Sequence, residues 1–370
     1  MVARRITGLS GVTILIREQA ARAAAAGWET HVFGERVDAA AIALAGATPH
    51  QLRPGLFRRR SAEWFATASA ARLSTGFTLV HGHGDSLQQD VMSLHNCVHA
   101  AHEAVHGAPL DPAAGPAEAG RLHARQLSER RFRLLLTNSN LMRDDVTTRF
   151  GVPAKSIRVV YPGFDPVRYH PGPRTTPSTN IRRQLCVRDD EALAGLVTSG
   201  DWVKRGVADF IEALGIVARG SAVSVHGVVT GKERSMNRYA ALAKQHGVAD
   251  RLHFLPPMDA LEDVYGALDI FVYPAQFEEF GMCVQEAMAC GLPVVCGRRI
   301  GATELLEGAA AKLLLDRVTP ATVADMLGQF VSDPNLRNRA GALNAACVAN
   351  NSWDRSAAGV IAAYNELAPS

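Results

Sequence analysis

The sequence lacks both a long apolar run and a strong excess of one charge. No uninterrupted stretch of about 18 apolar residues occurs, so the sequence predicts no membrane-spanning helix. The 39 lysines and arginines nearly balance the 36 aspartates and glutamates, and the net charge of +3 gives no general attraction to nucleic acid. Apolar residues make up 47% of the chain, which excludes a disordered or fibrous protein. Any anion-binding site is therefore expected to be local.

Paired cysteine motifs and a leader-like segment are also missing. The residues after Met1 do not form the apolar core of a signal peptide, because Thr7, Gly8 and Ser10 interrupt it. Scattered cysteines without CxxC spacing predict buried thiols in a reducing compartment; they are Cys97, Cys186, Cys283, Cys290, Cys296 and Cys347. We expect a soluble, cytoplasmic protein that does not bind nucleic acid.

Apolar runs of strand length alternate with segments of helical periodicity along the 370 residues. Strands are predicted at residues 29–33, 77–80, 133–137, 192–197, 223–229, 252–255, 269–273 and 293–296. Helices are predicted at residues 15–26, 207–218, 237–246 and 344–367. This alternation is typical of an α/β fold with parallel sheets covered by helices. Only residues 2–6 precede the first turn, so the first strand is expected to be short.

An abrupt change of composition divides the chain. Residues 162–180 are rich in proline, glycine, serine and threonine, and we predict that they form an interdomain linker without a helix. The N-terminal domain is then expected at residues 1–165 and the C-terminal domain at residues 166–352. A final helix at about residues 353–370 is a candidate to pack back on the first domain. The length also favours two domains of about 150 residues each.

The most informative segment covers residues 271–295. A predicted strand is followed by a loop with Glu278 and by a helix that starts near Gly281. The amides of Gly281, Met282 and Cys283 would form a helix N-terminus suited to a phosphate group. Glu286 lies about 7 Å further along the helix axis, where its carboxylate is placed to accept hydrogen bonds from a ribose diol. The alternative is that Glu278 and Glu279 lie on a solvated loop and that Glu286 is a solvent-facing helix residue.

A second segment joins a predicted strand to a helix through a basic turn. Lys204 and Arg205 follow the strand at residues 192–197. Open α/β sheets bind ligands at the carboxyl ends of their strands, so these two cations are candidates to hold a diphosphate. The alternative is a pair of solvated surface cations.

Glu278 and Glu286, separated by seven residues, resemble the E-x7-E signature of retaining GT-B glycosyltransferases, a family that includes lipopolysaccharide-core glucosyltransferases and mannosyltransferases. The resemblance implies two Rossmann-like lobes facing each other across a cleft. It also implies that Glu286 binds the nucleotide ribose and that Glu278 orients the donor sugar. Gly11 resembles the family's donor-facing glycine loop, and His95 resembles a histidine that contacts the transferred sugar. Arg205 stands where the family usually has lysine.

The resemblance implies transfer of a hexose from a nucleotide diphosphosugar, UDP-linked in preference to GDP-linked, to a glycan or lipid-linked acceptor. It also points to cell-envelope or lipopolysaccharide biosynthesis. No cofactor is expected. No Asp-x-Asp motif stands at a suitable strand end, so we predict a metal-independent reaction with Lys204, Arg205 and the helix amides at the phosphates. We expect Glu278, His95, Arg205 and Lys204 to act at the reacting end of the donor.

A basic and aromatic stretch near residue 60 has two interpretations. It contains Arg53, Arg58, Arg59 and Arg60 beside Leu56, Phe57, Trp64 and Phe65. In the first interpretation, the stretch rests on the anionic inner face of a membrane as a peripheral segment. Alternatively, it is a helix that packs its aromatic rings inward and leaves its arginines in water.

Two other enzyme classes and a binding protein compete with this assignment. His81, His83 and Asp85 resemble the start of a zinc-dependent hydrolase motif, although Ser86 stands where such sites use another histidine. His95, His99, His102 and His106 would lie on one face if that stretch is helical. A nucleotide-sugar 2-epimerase of the same fold, or a sugar-nucleotide-binding protein without catalysis, would use the same phosphate contacts.

Overall fold

The computed structural model describes residues 1–8, 10–53, 61–73, 76–110 and 117–368. The chain forms two compact units. The first comprises Met1–Gly163 together with Asn351–Ser370, and the second comprises Phe164–Asn350. Within the described ranges, no helix combines the length and the apolar character that crossing a bilayer requires.

The first unit is a parallel sheet flanked by helices. Its strands are β1 (Arg5–Ile6), β2 (His31–Gly34), β3 (Arg36–Val37), β4 (Thr48–Gln51), β5 (His81–Gly82), β6 (Val91–Leu94), β7 (Leu134–Thr137) and β8 (Ile157–Val159). Its helices are α1 (Gly11–Ala25), α2 (Ala39–Leu44), α3 (Ala62–Arg72), α4 (Val98–His106), α5 (Ala117–Glu129), α6 (Asn140–Phe150) and, from the end of the chain, α15 (Trp353–Leu367). A short 3-10 helix covers Ala154–Ser156.

Val2 connects the two halves of this sheet. It makes parallel bridges to Phe33 in β2 and to Gly82 in β5, which joins the β4-β2 pair to the β5-β6-β7-β8 ladder. Apolar side chains on the strands and on α1 fill the core, among them Ile16 and Val32. The carboxylate of Asp354 in α15 accepts a hydrogen bond from Nε of Arg22 in α1 at 2.6 Å. The last helix therefore belongs to the first unit.

The second unit has a five-stranded parallel sheet in the order β11-β10-β9-β12-β13. The strands are β9 (Ala192–Val197), β10 (Val225–Thr230), β11 (Leu252–Leu255), β12 (Ile270–Tyr273) and β13 (Val294–Cys296). The helices are α7 (Thr176–Gln184), α8 (Val207–Gly220), α9 (Met236–Gln245), α10 (Leu261–Ala267), α11 (Met282–Ala289), α12 (Gly308–Ala311), α13 (Pro320–Ser332) and α14 (Pro334–Val348), with a 3-10 helix at Gly301–Leu305. This order reverses beside β9, as in Rossmann-like domains.

Two predictions of secondary structure are wrong. Residues 77–80 form no strand, because the amide of Val80 donates to Oδ2 of Asp90 at 2.8 Å rather than to a neighbouring strand, and β5 begins at His81. The segment predicted to exclude helix contains α7, although Pro177 is its second residue. Proline costs little there because the first amides of a helix have no intrahelical partner. Thr175 caps the helix by accepting a hydrogen bond from the Ser178 amide at 3.2 Å.

Two further expectations need correction. The helix predicted at residues 344–367 is two helices, since α14 ends at Val348 and α15 begins at Trp353 with Ser352 as its cap. The prediction of buried thiols is wrong for Cys186, which is exposed in a left-handed turn with φ of 54°. A residue in a tight turn has little backbone around it to cover its side chain.

Candidate functional site

The loop between β12 and α11 forms the first part of the site. It passes from Tyr273 through Glu278 to Gly281, which has φ of +87°. A Cβ at Gly281 would lie 3.1 Å from Cγ2 of Ile300 and 3.3 Å from Cγ of Glu278, so a larger residue would strain the turn. Among the described residues, no side chain caps α11, and its first turn contains no acidic residue. The start of α11 therefore presents N–H groups and the positive end of the helix dipole.

The turn between β9 and α8 lies directly against this loop. Gly206 has φ of +70°, and a Cβ there would lie 2.3 Å from the carbonyl oxygen of Pro274. Only glycine allows the two backbones to approach so closely. Oδ1 of Asp201 accepts a hydrogen bond from the Lys204 amide at 3.2 Å and fixes the turn. This approach brings Lys204 and Arg205 to the acidic loop.

Three ion pairs join the half-buried cations of the basic turn to the buried carboxylates of the acidic loop. Nε of Arg205 lies 3.0 Å from Oε2 of Glu278. Nζ of Lys204 lies 2.5 Å from Oε2 of Glu279 and 3.9 Å from Oε1 of Glu278. The hydroxyl of Tyr273 donates to Oε2 of Glu278 at 3.0 Å. Glu278 is 7% exposed and Glu279 is 3% exposed, so four opposite charges neutralise each other away from bulk water.

One strong donor at this cluster is unused. Nη1 of Arg205 is buried and has no hydrogen-bond partner in the part of the chain that the structure describes. A buried donor without a partner costs about 1–3 kcal/mol, and an oxygen of a bound anion would satisfy it. Burial raises the pKa of Glu278, while the charges of Arg205 and Lys204 oppose that rise.

Glu286 occupies the second turn of α11 and is held by a tyrosine. The hydroxyl of Tyr265 in α10 donates to its Oε2 at 2.9 Å. Burial raises the pKa of Glu286 to about 7, and the hydrogen bond from Tyr265 opposes the rise. The ring of Tyr169 packs edge-on against Tyr265, with centroids 5.8 Å apart. Nearby, Arg168 donates to Glu262 at 2.6 Å.

Gly11 and His95 lie in the first unit, whereas the other predicted site residues lie in the second. Gly11 is the exposed first residue of α1, which Ser10 caps by accepting from the Thr13 amide at 3.2 Å. His95 directly follows β6, and its Nε2 lies 3.0 Å from Nδ1 of His83. The two rings stack with centroids 5.3 Å apart. Burial lowers the pKa of His95 to about 4, so its ring is neutral at pH 7.

The residues of the alternative zinc motif are used inside the first unit. Nδ1 of His81 bonds to the hydroxyl of Tyr364 at 2.6 Å, and its Nε2 bonds to Oγ of Ser93 at 2.7 Å. Oδ2 of Asp85 accepts the backbone N–H of Arg4 at 2.8 Å. Among the described residues, no cluster of three or more histidine, cysteine, aspartate or glutamate side chains is arranged to hold a metal ion. Both nitrogens of His81 are thus occupied by protein partners.

The predicted histidine face is wrong in one member. α4 begins at Val98, so His95 precedes the helix and only His99, His102 and His106 lie on it. The rings of His102 and His106 are 4.4 Å apart, as residues one turn apart should be.

The basic and aromatic stretch is described only in part. Residues 54–60, which include Leu56, Phe57 and Arg58 to Arg60, lie outside the described residues, as does Leu9. Phe65 is fully buried and packs in a cluster with Phe33 and Leu73, and Trp64 covers the same cluster. The burial of Phe65 agrees with the second interpretation, in which the aromatic rings of this stretch pack inward.

The architecture of the two units is that of a known group of enzymes. The chain has two Rossmann-like units, as GT-B glycosyltransferases do. One of these units has a basic turn and a helix N-terminus beside an acidic loop. The chain belongs to the family described as "Glycosyl transferases group 1", whose profile matches residues 178–362. A second profile, "Glycosyltransferase Family 4", matches residues 9–168. The family favours a glycosyltransferase over the zinc hydrolase and the epimerase.

Curated relatives carry the name D-inositol 3-phosphate glycosyltransferase. The one from Corynebacterium jeikeium strain K411 is 31% identical over 249 residues, which are 64% of this chain and 58% of that protein. The one from Rhodococcus opacus strain B4 is 31% identical over 277 residues, which are 72% of this chain and 61% of that protein. The chain therefore spans less than two thirds of the length of these relatives.

Solved structures with the same fold cover nearly the whole chain. WaaG, a glycosyltransferase involved in lipopolysaccharide biosynthesis, has a TM-score of 0.77 at 17% identity and covers 98% of this chain and 97% of its own. Anabaena Alr3699/HepE in complex with UDP and glucose has a TM-score of 0.79 at 17% identity, covering 99% of this chain and 98% of its own. At these identities the likeness concerns the fold.

Sequence reasoning missed three buried partners of the predicted site residues. Tyr273 and Tyr265 hold Glu278 and Glu286, and Glu279 pairs with Lys204. The sequence pattern places Glu279 on a loop and indicates no partner for it. Tyrosines in a buried strand and an amphipathic helix look like core residues in the sequence, because nothing in the local pattern shows where their hydroxyls point.

Proposed function

We propose that this chain is a retaining, metal-independent hexosyltransferase that binds a nucleotide diphosphosugar in its second unit. Lys204 and Arg205 bind the diphosphate together with the amides of Gly281, Met282 and Cys283. Glu286 accepts hydrogen bonds from the ribose hydroxyls, and Glu278 orients the hexose. The family membership and the meeting of the basic turn with the acidic loop support this assignment.

The observation that carries the proposal is the pairing of Lys204 and Arg205 with Glu279 and Glu278, with Nη1 of Arg205 buried and unused. A diphosphate has negative oxygens that compete for both cations. Arginine can bind a carboxylate and a phosphate oxygen through different nitrogens of its planar guanidinium group. Nη1 of Arg205 can therefore bind an oxygen of the nucleotide sugar while Nε still pairs with Glu278.

The chemistry follows from where charge develops during transfer. When the glycosidic bond to the diphosphate breaks, negative charge grows on the leaving oxygen and positive charge grows on the anomeric carbon. Preorganised cations and helix amides stabilise the first charge without reorganisation. Glu278 and Glu286 are both assigned to the donor and Glu279 is paired with Lys204, so we assign none of these carboxylates as the nucleophile of a double displacement. We therefore infer attack by the acceptor on the face that the diphosphate leaves, with retention of configuration.

Two residues of the first unit are also assigned to the donor. We infer that the neutral ring of His95 contacts the transferred hexose and that the backbone at Gly11 faces the donor. The acceptor is proposed to be a glycan or a lipid-linked sugar of the cell envelope, and the donor UDP-linked rather than GDP-linked. The likeness in fold to WaaG and to a protein crystallised with UDP and glucose supports this choice.

A thermal-shift screen of nucleotide sugars tests the donor site. UDP-glucose, UDP-galactose and GDP-mannose are compared on the native chain and on Glu286→Ala, with Glu63→Ala as an exposed control. We expect one nucleotide sugar to raise the Tm of the native chain and of Glu63→Ala but not of Glu286→Ala. Equal shifts in all three proteins would contradict the proposed site.

The stereochemistry has its own measurement. Proton NMR of the product formed on a sugar acceptor gives the anomeric coupling constant directly. Retention predicts the same anomeric configuration as in the donor, and an inverted product would overturn this part of the proposal.

A further inference from the structure

We infer that Tyr265 is a positioning residue that holds Glu286 in its charged form, and that it thereby sets the affinity for the nucleotide sugar around neutral pH. The inference rests on the proposed function, because it concerns the carboxylate assigned to the ribose. It names a residue that makes no contact with the substrate in this scheme.

The geometry of the pair gives Tyr265 this role. Tyr265 is fully buried in α10, and its hydroxyl donates to Oε2 of Glu286 at 2.9 Å. That bond leaves Oε1 of Glu286 and the remaining lone pair of Oε2 for other donors. A vicinal diol donates two hydrogen bonds and prefers an ionised carboxylate, which accepts only.

The groups around Glu286 have opposing effects on the ionisation of its carboxylate. From α10 it faces Tyr265 and the carboxylate of Glu262, which opposes its ionisation. From the segment before α7 it faces the guanidinium of Arg168, which favours its ionisation, and the hydroxyl of Tyr169. From its own helix and the residue that follows it, Glu286 faces the thiols of Cys283 and Cys290, both of which have raised pKa values and stay protonated.

The direction of the pH effect follows from these contacts. Burial raises the pKa of Glu286 to about 7, so the carboxylate is partly protonated at neutral pH. The hydrogen bond from Tyr265 favours the charged form, and burial raises the pKa of Tyr265 itself, so its hydroxyl keeps its proton. Donor affinity should then increase as the pH rises through 7. Without the tyrosine hydroxyl, the same increase should occur at higher pH.

The test is the affinity of UDP-glucose measured by titration calorimetry between pH 6 and pH 8.5. The diphosphate of UDP-glucose is a diester and does not titrate in this range, so the pH profile reports the protein. The variants are Tyr265→Phe, Glu286→Gln and, as a matched control, Tyr239→Phe, a buried tyrosine of the same unit that packs against Trp202. Circular dichroism and Tm values show that each variant is folded.

We expect the midpoint of the profile of Tyr265→Phe to move up by about one pH unit, because a hydrogen bond to a charged group has about that effect. Its affinity should be about fivefold weaker than that of the native chain at pH 7, with the two converging at pH 8.5. Tyr239→Phe should follow the native profile, and Glu286→Gln should have a flat one.

The other possible outcomes would contradict either the role of Tyr265 or the proposed function. Superimposable profiles of native chain and Tyr265→Phe, or a loss that is equal at every pH, would overturn the role of Tyr265 while leaving the donor site intact. A native chain that binds no UDP-glucose would contradict the proposed function with UDP as donor, and this inference with it.

Discussion

The charged side chains of the site are largely buried, and burial disfavours their charged forms unless each has an opposite partner. Lys204, Arg205, Glu278 and Glu279 lie in a largely buried group in which each charge has an opposite partner. Removing one member of a buried pair costs about 3–5 kcal/mol, because the other charge stays behind without compensation. Variants that keep the shape and the hydrogen bonds are therefore the informative ones at this cluster.

Glu278→Gln keeps the size of the side chain and removes its charge. We expect kcat to fall about 100-fold, because in the proposed mechanism this carboxylate orients the hexose. The same change at Glu63, whose side chain is 78% exposed, should leave kcat unaltered. Steady-state kinetics with UDP-glucose check this, and a Glu278→Gln enzyme with native kcat would contradict the role of Glu278.

Gly206 is the residue at which the two halves of the site touch. Gly206→Ala would place a Cβ 2.3 Å from the Pro274 carbonyl oxygen at a positive φ, so we expect the free energy of unfolding to fall by at least about 2 kcal/mol. Gly220→Ala is the matched control, because a Cβ there meets nothing within 4 Å. Urea denaturation measures both. Equal stability of the two variants would show that the approach of the turn to the loop is not tight.

At the scale of elements, much of the second unit was predictable from the sequence. The strands β9 and β11 match their predicted ranges because continuous apolar runs with flanking turns determine a buried parallel strand. The loop and helix with Glu278 and Glu286 also lie where the pattern placed them. What the pattern could not give is the long-range pairing, such as that of Lys204 with Glu279 over 75 positions.

The errors have local causes. The prediction for residues 162–180 weighed composition alone and overlooked that a threonine followed by proline at the second position can begin a helix. At the end of residues 77–80, the amide of Val80 donates to the side chain of Asp90 instead of to a strand partner. Neither of these hydrogen bonds can be predicted from the hydrophobic periodicity of the sequence.

The N-cap of α7 is open to a direct test. Thr175→Ala removes the acceptor of the Ser178 amide, and we expect a loss of about 1 kcal/mol in the free energy of unfolding. Thr179→Ala, one turn further along the exposed face, removes only a hydroxyl that bonds to the carbonyl of Thr175 and should cost less than about 0.5 kcal/mol. Chemical denaturation compares the two variants, and an unchanged Thr175→Ala protein would contradict the capping role.

At the scale of the whole molecule, the chain uses the same α/β principle twice. Each unit has a parallel sheet with helices on its faces, and the last helix, α15, returns to the first unit. The boundary between Gly163 and Phe164 falls where the composition becomes rich in proline and glycine. The alternation of strands and helices carries this information because parallel sheets require crossover helices.

The proposed reaction needs no metal ion. Turnover of UDP-glucose should change less than about twofold when EDTA is added, since we propose that Lys204, Arg205 and the start of α11 supply the positive charge at the diphosphate. Initial rates with and without EDTA, followed by addition of Mg²⁺ or Mn²⁺, decide the matter. Activity that is lost with EDTA and restored by either ion would contradict metal independence.

The most direct measurement of the central claim is a crystal structure of the protein with UDP-glucose. We predict that the diphosphate lies at the amides of Gly281 to Cys283, that one of its oxygens accepts from Nη1 of Arg205, and that the ribose hydroxyls donate to Glu286. A nucleotide bound elsewhere, with Glu286 directed away from it and Nη1 of Arg205 still without a partner, would contradict the claim.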